Sequence, residues 1–264
     1  MSNTPSSDPA SDSGSDPVWG PLDLRRGPRA HALLQQVVDR VRARPELVVF
    51  DLDSTLLDNK TRQALIMAEY GRAHGVDALA ATRSEHWDGW DYRAAMRNAG
   101  LPADQVEDHV EAYRAWWREH FFTSEYCRID EAVPGAVAYV SALGALGARI
   151  YYVTGRQQSM RAGTEESFER LGFARPNGND VQLWMKPALE EEDDAFKARV
   201  HEKLKTQGPP VAVFDNEPTH VNDYRRSFPD ARVIHLATDH SRRPVRVDPQ
   251  IPSIPDFSAW DPGA

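Results

Sequence analysis

The chain has 264 residues, 41% of them hydrophobic, which suffices for one large domain with a sizeable insert. Forty acidic against 31 basic side chains give a formal charge of −9, so no global positive field draws a nucleic-acid backbone to it. A single cysteine, Cys127, excludes an intrachain disulfide framework and a multi-thiolate zinc site, and no apolar run is long enough to span a membrane.

Residues 1–20 are mostly Ser, Asp, Pro and Gly and read as a disordered tail. They have neither the basic start nor the apolar stretch of a signal peptide, so the expected compartment is the cytoplasm. Arg29–Ala43 carries Leu33, Leu34, Val37, Val38 and Val41 at helical spacing. Val48–Phe50 is a short apolar strand. From about residue 59 to 128 no convincing strand occurs. Gln63–His74, Asp91–Asn98 and Pro102–Phe122 are expected helices, the last with Val106, Val110, Tyr113, Trp117 and Phe121 on one face. Pro134 opens a further helix that Gly147 closes. The strand Ala148–Val153 follows, then a helix over Met160–Leu171, a short strand Val181–Trp184, a helix Asp194–Leu204, a strand ending at Phe214, a helix Pro218–Phe228 and a last strand Ala231–Leu236.

Strands alternating with helices imply right-handed crossovers and a parallel sheet. The expected fold is therefore α/β, a doubly wound parallel sheet with a helical cap inserted after the first strand. Its divisions are a core over 21–58 and 129–240, a cap over 59–128, and an irregular Pro-rich tail over 241–264.

In such sheets ligands bind beyond the carboxyl ends of the strands. Here Asp51 and Asp53 follow the first strand, Thr154, Gly155 and Arg156 follow the second, and Asp215, Asn216 and Glu217 follow a later one. Lys197 lies in the helix before that later strand. Carboxylates, a hydroxyl, backbone amides and a cation in one crevice suit Mg²⁺ with a phosphoryl group.

The ordered motifs FDLDST, YYVTGR, an intervening Lys and VFDNEP resemble those of the haloacid dehalogenase superfamily, in its phosphatase branch, over roughly residues 45–237. The resemblance implies a Mg²⁺-dependent phosphohydrolase acting on a small phosphate monoester through an aspartyl-phosphate. It implies Asp51 as nucleophile and Asp53 as acid and base. Thr55, Thr154, Gly155, Arg156 and Lys197 would attend the phosphoryl group, with Lys186 as the alternative lysine. The metal would be held by Asp51, the Asp53 main-chain carbonyl and Asp215. The position four residues after Asp215 is Thr219, where the family often has a second acid, so Asn216 and Glu217 are further ligand candidates. Asp53 favours phosphate-ester chemistry over halide displacement, because a leaving alkoxide needs a proton and a halide does not. A phosphomutase or phosphotransferase would use the same residues, and a non-catalytic binding module on the same fold is a third reading. No membrane partner is expected, and oligomeric state is left open.

The insert is rich in aromatics, including Trp87, Trp90, Tyr113, Trp116, Trp117 and Phe121. These are expected to form the core of a small helical unit rather than a wall for a flat ligand. Cys127 reads as a packed thiol, and His220 as a neighbour of the last motif.

Overall fold

The structure is a computed structural model that describes residues 23–241 and 243–263. The tail expected over residues 1–20 lies outside the described residues. Helix α1 spans Pro28–Ala43, with its proline in the first turn and Leu33, Leu34, Val37, Val38 and Val41 buried. Strand β1 is Leu47–Phe50. The two-residue strand β2, Leu57–Asp58, leads into helices α2 (Lys60–His74), α3 (Asp77–Ala80), α4 (Tyr92–Asn98), α5 (Val106–Phe121) and α6 (Ser124–Cys127). The chain returns through β3, Glu131–Ala132. Then follow α7 (Ala136–Ala145), β4 (Arg149–Gln157), α8 (Arg161–Leu171), β5 (Val181–Lys186), α9 (Asp193–Gln207), β6 (Ala212–Asp215), α10 (Pro218–Ser227), β7 (Arg232–Leu236) and β8 (Ser253–Ile254).

Six strands form one sheet in the order β5-β4-β1-β6-β7-β8, every pairing parallel. A parallel sheet needs cover on both faces, and the alternation of side chains supplies it. Val48 and Phe50 of β1, Ile150 and Tyr152 of β4, and Ala212 and Phe214 of β6 share a core with α1, α7 and α8. Leu47, Val49, Tyr151, Val153 and Val213 face the opposite way, onto Phe196, Val200 and Leu204 of α9 and Val221 and Tyr224 of α10. This is the doubly wound arrangement expected, and its order reverses next to β1, the position at which such sheets bind ligands.

Between β2 and β3, which pair antiparallel, the segment α2–α6 builds a separate apolar cluster. Trp87, Tyr113 and Phe121 are buried in it, and Trp90, Tyr92, Trp116, Trp117 and Phe122 pack around it. The two adjacent tryptophans diverge: Trp116 stacks on His120, and Trp117 stacks on Phe121.

Two expectations change. Strand β4 does not stop at Val153 but carries Thr154, Gly155 and Arg156 on to Gln157, with a register shift against β5 over that stretch. Main-chain pairing with a correspondingly longer β5 sustains it. The C-terminal segment is irregular but not a tail free of the core. Ser253–Ile254 adds the sixth strand beside β7, and Ile254 and Phe257 are fully buried. Phe257 sits among Phe214, Tyr139 and Phe50, at ring centroid distances of 5.5, 5.3 and 6.5 Å. Its backbone presses on Gly135, where an added Cβ would lie 2.5 Å from the Phe257 carbonyl carbon; Gly135 also has φ +77°. The prolines of this segment forbid helix, and its apolar residues follow neither period, so packing alone reveals its place.

Candidate active site

The turn after β1 is tight. The amides of Thr55, Leu56 and Leu57 all point back to the Leu52 carbonyl, and Ser54 adopts φ +60°, the left-handed region that glycine enters most readily. Thr238 donates to the Ser54 carbonyl and ties the turn to the end of β7. Asp51 is anchored from its own amide to the Phe214 carbonyl at 2.9 Å, so the tips of β1 and β6 are locked together.

Lys197, on α9, reaches into that junction. Its ammonium donates to Asp51 Oδ1 at 2.7 Å, Asp215 Oδ2 at 2.9 Å and the Val153 carbonyl at 2.9 Å, which uses all three of its protons. Lysine, both carboxylates and the tip of β4 are thus one buried cluster. Burial disfavours the ammonium, but Asp215 and Asp51 outweigh it and hold Lys197 above its ordinary value. Burial pushes Asp51 up to about 7, against the opposing pull of Lys197 and with the Asp215 charge adding to it. Asp215 faces the same burial, but Lys197 and then His220 dominate and keep it below the usual carboxylate range. His220 lies with Nδ1 3.4 Å from Asp215 and Nε2 3.1 Å from Asp194; burial works against its charge, yet the two acids hold it up at about 9.

Asp53 takes a different direction. Arg156 meets it with two bonds, Nε to Oδ2 at 2.9 Å and Nη2 to Oδ1 at 2.8 Å. Arg62 of α2 donates to Oδ1 at 2.8 Å, and Asn59 reaches the same oxygen at 3.3 Å. Burial would raise Asp53, but the charges of Arg156 and Arg62 and these bonds keep it well below the usual carboxylate range. Both arginines also meet Asp130, which is fully buried.

Of the residues singled out from the sequence, Asp51, Asp215 and Lys197 are therefore in direct contact, and Thr154 and Gly155 stand on the neighbouring strand. Thr154 is buried; its oxygen accepts from the Arg156 amide, which leaves its own proton free to donate. Several others are engaged elsewhere. Arg156, expected on phosphate, spends its guanidinium on Asp53, Asp130 and Thr164. Lys186 meets Asp193 at 2.6 Å and the Glu191 carbonyl at 2.8 Å, away from Asp51, because β5 is the edge strand on that side. Glu217 is bound by the amide and hydroxyl of Ser241 and lies 3.4 Å from Arg243, so its carboxylate is not a free ligand. The Asn216 side chain accepts from Thr55 and donates to the Asp239 carbonyl; it braces the two strand ends instead of facing Asp51.

Sequence reasoning missed Arg62 and Asp130. Their only signal is position, one after the first strand of the β2–β3 hairpin and one before the second, and nothing local distinguishes them from surface charges.

Two carboxylates sharing one cation at neighbouring strand tips are suitable donors for Mg²⁺, which takes one or two carboxylates, keeps waters and shares a phosphate. No group of three or more His, Cys, Asp or Glu side chains is arranged to hold a metal ion among the described residues. The donor set thus fits a cation completed by water and substrate, not an all-protein cage. Asp51 is 8% exposed. A cavity of about 430 Å³ at the base of the insert is lined by Asp58, Lys60, Thr61, Ser84, Glu85, Trp87 and Glu131, and Asp51 is not in its wall. No helix among the described residues is long and apolar enough to cross a membrane.

A family model described as HAD superfamily, subfamily IIIB (acid phosphatase), matches residues 107–214. The match takes in Thr154, Gly155 and Lys197 and stops one residue before Asp215. No curated protein matches the chain. Among solved structures, a haloacid dehalogenase-like hydrolase from Streptococcus pneumoniae is 15% identical, with 80% of this chain and 93% of that one covered and a TM-score of 0.43. A dehalogenase is 11% identical, with coverage of 80% and 92% and a TM-score of 0.43. A class C acid phosphatase from Bacillus anthracis is 17% identical, with coverage of 78% and 73% and a TM-score of 0.37.

Proposed function

We propose that this chain, a member of the haloacid dehalogenase superfamily, is a Mg²⁺-dependent phosphatase that cleaves a small phosphate monoester through an aspartyl-phosphate. The observation that carries the reading is the single lysine, Lys197, bonded to both Asp51 and Asp215 at adjoining strand tips. That cluster supplies a nucleophilic carboxylate, a second hard anion and a fixed positive charge within one site.

In the proposed first step Asp51 bonds to phosphorus as the bond to the leaving oxygen breaks. The leaving oxygen takes a proton from Asp53. In the second step water attacks phosphorus and gives a proton back to Asp53. The aspartyl–phosphorus bond breaks, releasing phosphate and restoring Asp51. The Thr154 hydroxyl and Gly155 amide hold phosphoryl oxygens, and Lys197 keeps Asp51 aimed while balancing its charge. Asp51, Asp215 and the Asp53 main-chain carbonyl would hold Mg²⁺, which when bound offsets the repulsion between an anionic nucleophile and an anionic ester.

Two features bear on the working state. Asp51 is nearly covered, so substrate access calls for some opening of the site. Asp53 is held ionised by its arginines, a state ready to accept the proton of the second step; the negative charge of an arriving phosphate ester works against the arginines and favours the protonated acid that the first step uses. The test is phosphate release from a panel of sugar, nucleotide and aryl phosphates with Mg²⁺, comparing wild type with Asp51→Asn. Release by wild type and its loss in the variant is the expected result. Equal rates in both would remove Asp51 from the mechanism, and transfer to an added alcohol without free phosphate would replace hydrolysis by phosphotransfer.

A further inference from the structure

Arg62 belongs to the insert, yet its guanidinium ends on a core carboxylate. It lies in the first turn of α2, with its side chain fully buried. Nη1 donates to the Phe121 carbonyl at 3.2 Å and to Cys127 Sγ at 3.3 Å, and the guanidinium carbon sits 3.9 Å over the Phe121 ring. The side chain therefore rides on the beginning of α2, the end of α5 and the end of α6, three points of the insert. Of its other two nitrogens, Nη2 reaches Asp53 Oδ1 at 2.8 Å, while Nε lies 3.0 Å from Asp130 Oδ1 without hydrogen-bond alignment. Arg156, the other arginine on Asp53, stands on β4 and belongs to the core. Asp130 joins the two, and the four side chains carry two charges of each sign. Fully buried against Phe121 and Cys127, the guanidinium needs carboxylate partners, and it finds them in Asp53 and Asp130.

We propose that Arg62 is a positioning residue that sets the orientation of the Asp53 carboxylate from the insert, so that proton delivery to the leaving oxygen depends on where the insert sits. The inference rests on the phosphatase reading and adds to it a residue and a direction of control. Asp53 needs its second arginine for orientation: Arg156 fixes the carboxylate plane by its fork, and Arg62 pins Oδ1 from the insert side. A lysine at 62 keeps the charge but cannot span Asp53, Asp130 and Phe121 together.

Proton delivery matters most when the leaving oxygen is basic. A nitrophenolate departs with little help, whereas an alkoxide depends on the acid, whose contribution is on the order of 10²–10⁴-fold in rate. The experiment measures kcat and KM for p-nitrophenyl phosphate and for an alkyl phosphate such as glycerol phosphate. It compares wild type, Arg62→Lys, and the double variant Arg62→Gln with Asp130→Asn, which removes one buried charge of each sign and so keeps the cage neutral. In both variants kcat for the alkyl ester is expected to fall roughly tenfold or more beyond any fall for the aryl ester, with KM nearly unchanged. Equal losses on the two esters would make Arg62 merely structural, and a gain on the alkyl ester would make it a restraint on Asp53; either overturns the proposal. Failure of both variants to fold would likewise assign Arg62 to stability and overturn it. If wild type itself cleaves neither ester, the phosphatase reading falls instead, so the two failures are distinguishable.

Discussion

Replacing Lys197 by methionine tests the centre of the site, because it keeps the bulk of the side chain and deletes its charge. In the wild type the Lys197 side chain is 3% exposed and the side chains of Asp51 and Asp215 are 10% and 1% exposed, with bonds of 2.7 and 2.9 Å. Removing the ammonium leaves Asp51 without its cation and Asp215 with His220 alone, 3.4 Å away. Breaking a buried charge cluster by removing one partner costs about 3–5 kcal/mol. For a domain of this size each kcal/mol lowers Tm by about 2–4 °C, so a fall of roughly 6–20 °C is expected while the chain still folds. Loss of a preorganised charge at the reacting centre lowers kcat by about 10²–10³-fold. Calorimetry gives the first quantity and aryl phosphate hydrolysis the second. Mg²⁺ should raise Tm of the variant more than that of wild type, since a divalent ion between the two carboxylates replaces the missing charge. An unchanged Tm together with unchanged kcat/KM would refute the assignment of Lys197 to this cluster.

Burial pushes Asp51 up to about 7 from 3.8, so in metal-free protein the contribution of this group to stability is complete below 3.8 and is lost as pH rises through about 7. The Tm difference between Asp51→Asn and wild type should therefore grow across that window and level off above it, and a flat difference would contradict the raised value. Gly163, on α8, leaves no room for a side chain: a Cβ there would lie 1.8 Å from the Ser124 carbonyl oxygen. Gly163→Ala is expected to cost at least about 1–3 kcal/mol, read as a lower urea midpoint with an unchanged slope. Phe257→Ala removes a fully buried ring from beneath the sheet and should cost about 3–5 kcal/mol; a near-neutral effect would mean that the C-terminal segment does not pack on the core.

The parallel sheet, its helices and the helical insert were legible in the chain, because each rests on a local pattern. Apolar runs of three or four residues mark strands covered on both faces, and Leu33 to Val41 repeats at the spacing of one buried helix face. Lys197 stands in the helix before the Asp215 strand, and that helix, α9, carries it to Asp51, while the edge strand carries Lys186 to Asp193. Short pieces such as β2, β3 and β8 left no mark, since two residues establish no period.

Which charge meets which was decided by tertiary structure alone. Arg156 follows a threonine and glycine as a phosphate ligand would, yet its partners, Asp53 and Asp130, lie 103 and 26 residues away. Arg62, in the first helix of the insert, and Asp130, just after its last, come together beside the pairing of β2 with β3. Ile254 and Phe257, set among prolines, gain a role only once the sheet offers them an uncovered end beside β7. Side-chain periodicity is a property of neighbours along the chain, so it reports elements and their faces; ion pairing and closure of the core depend on distances through space, which the chain acquires only on folding.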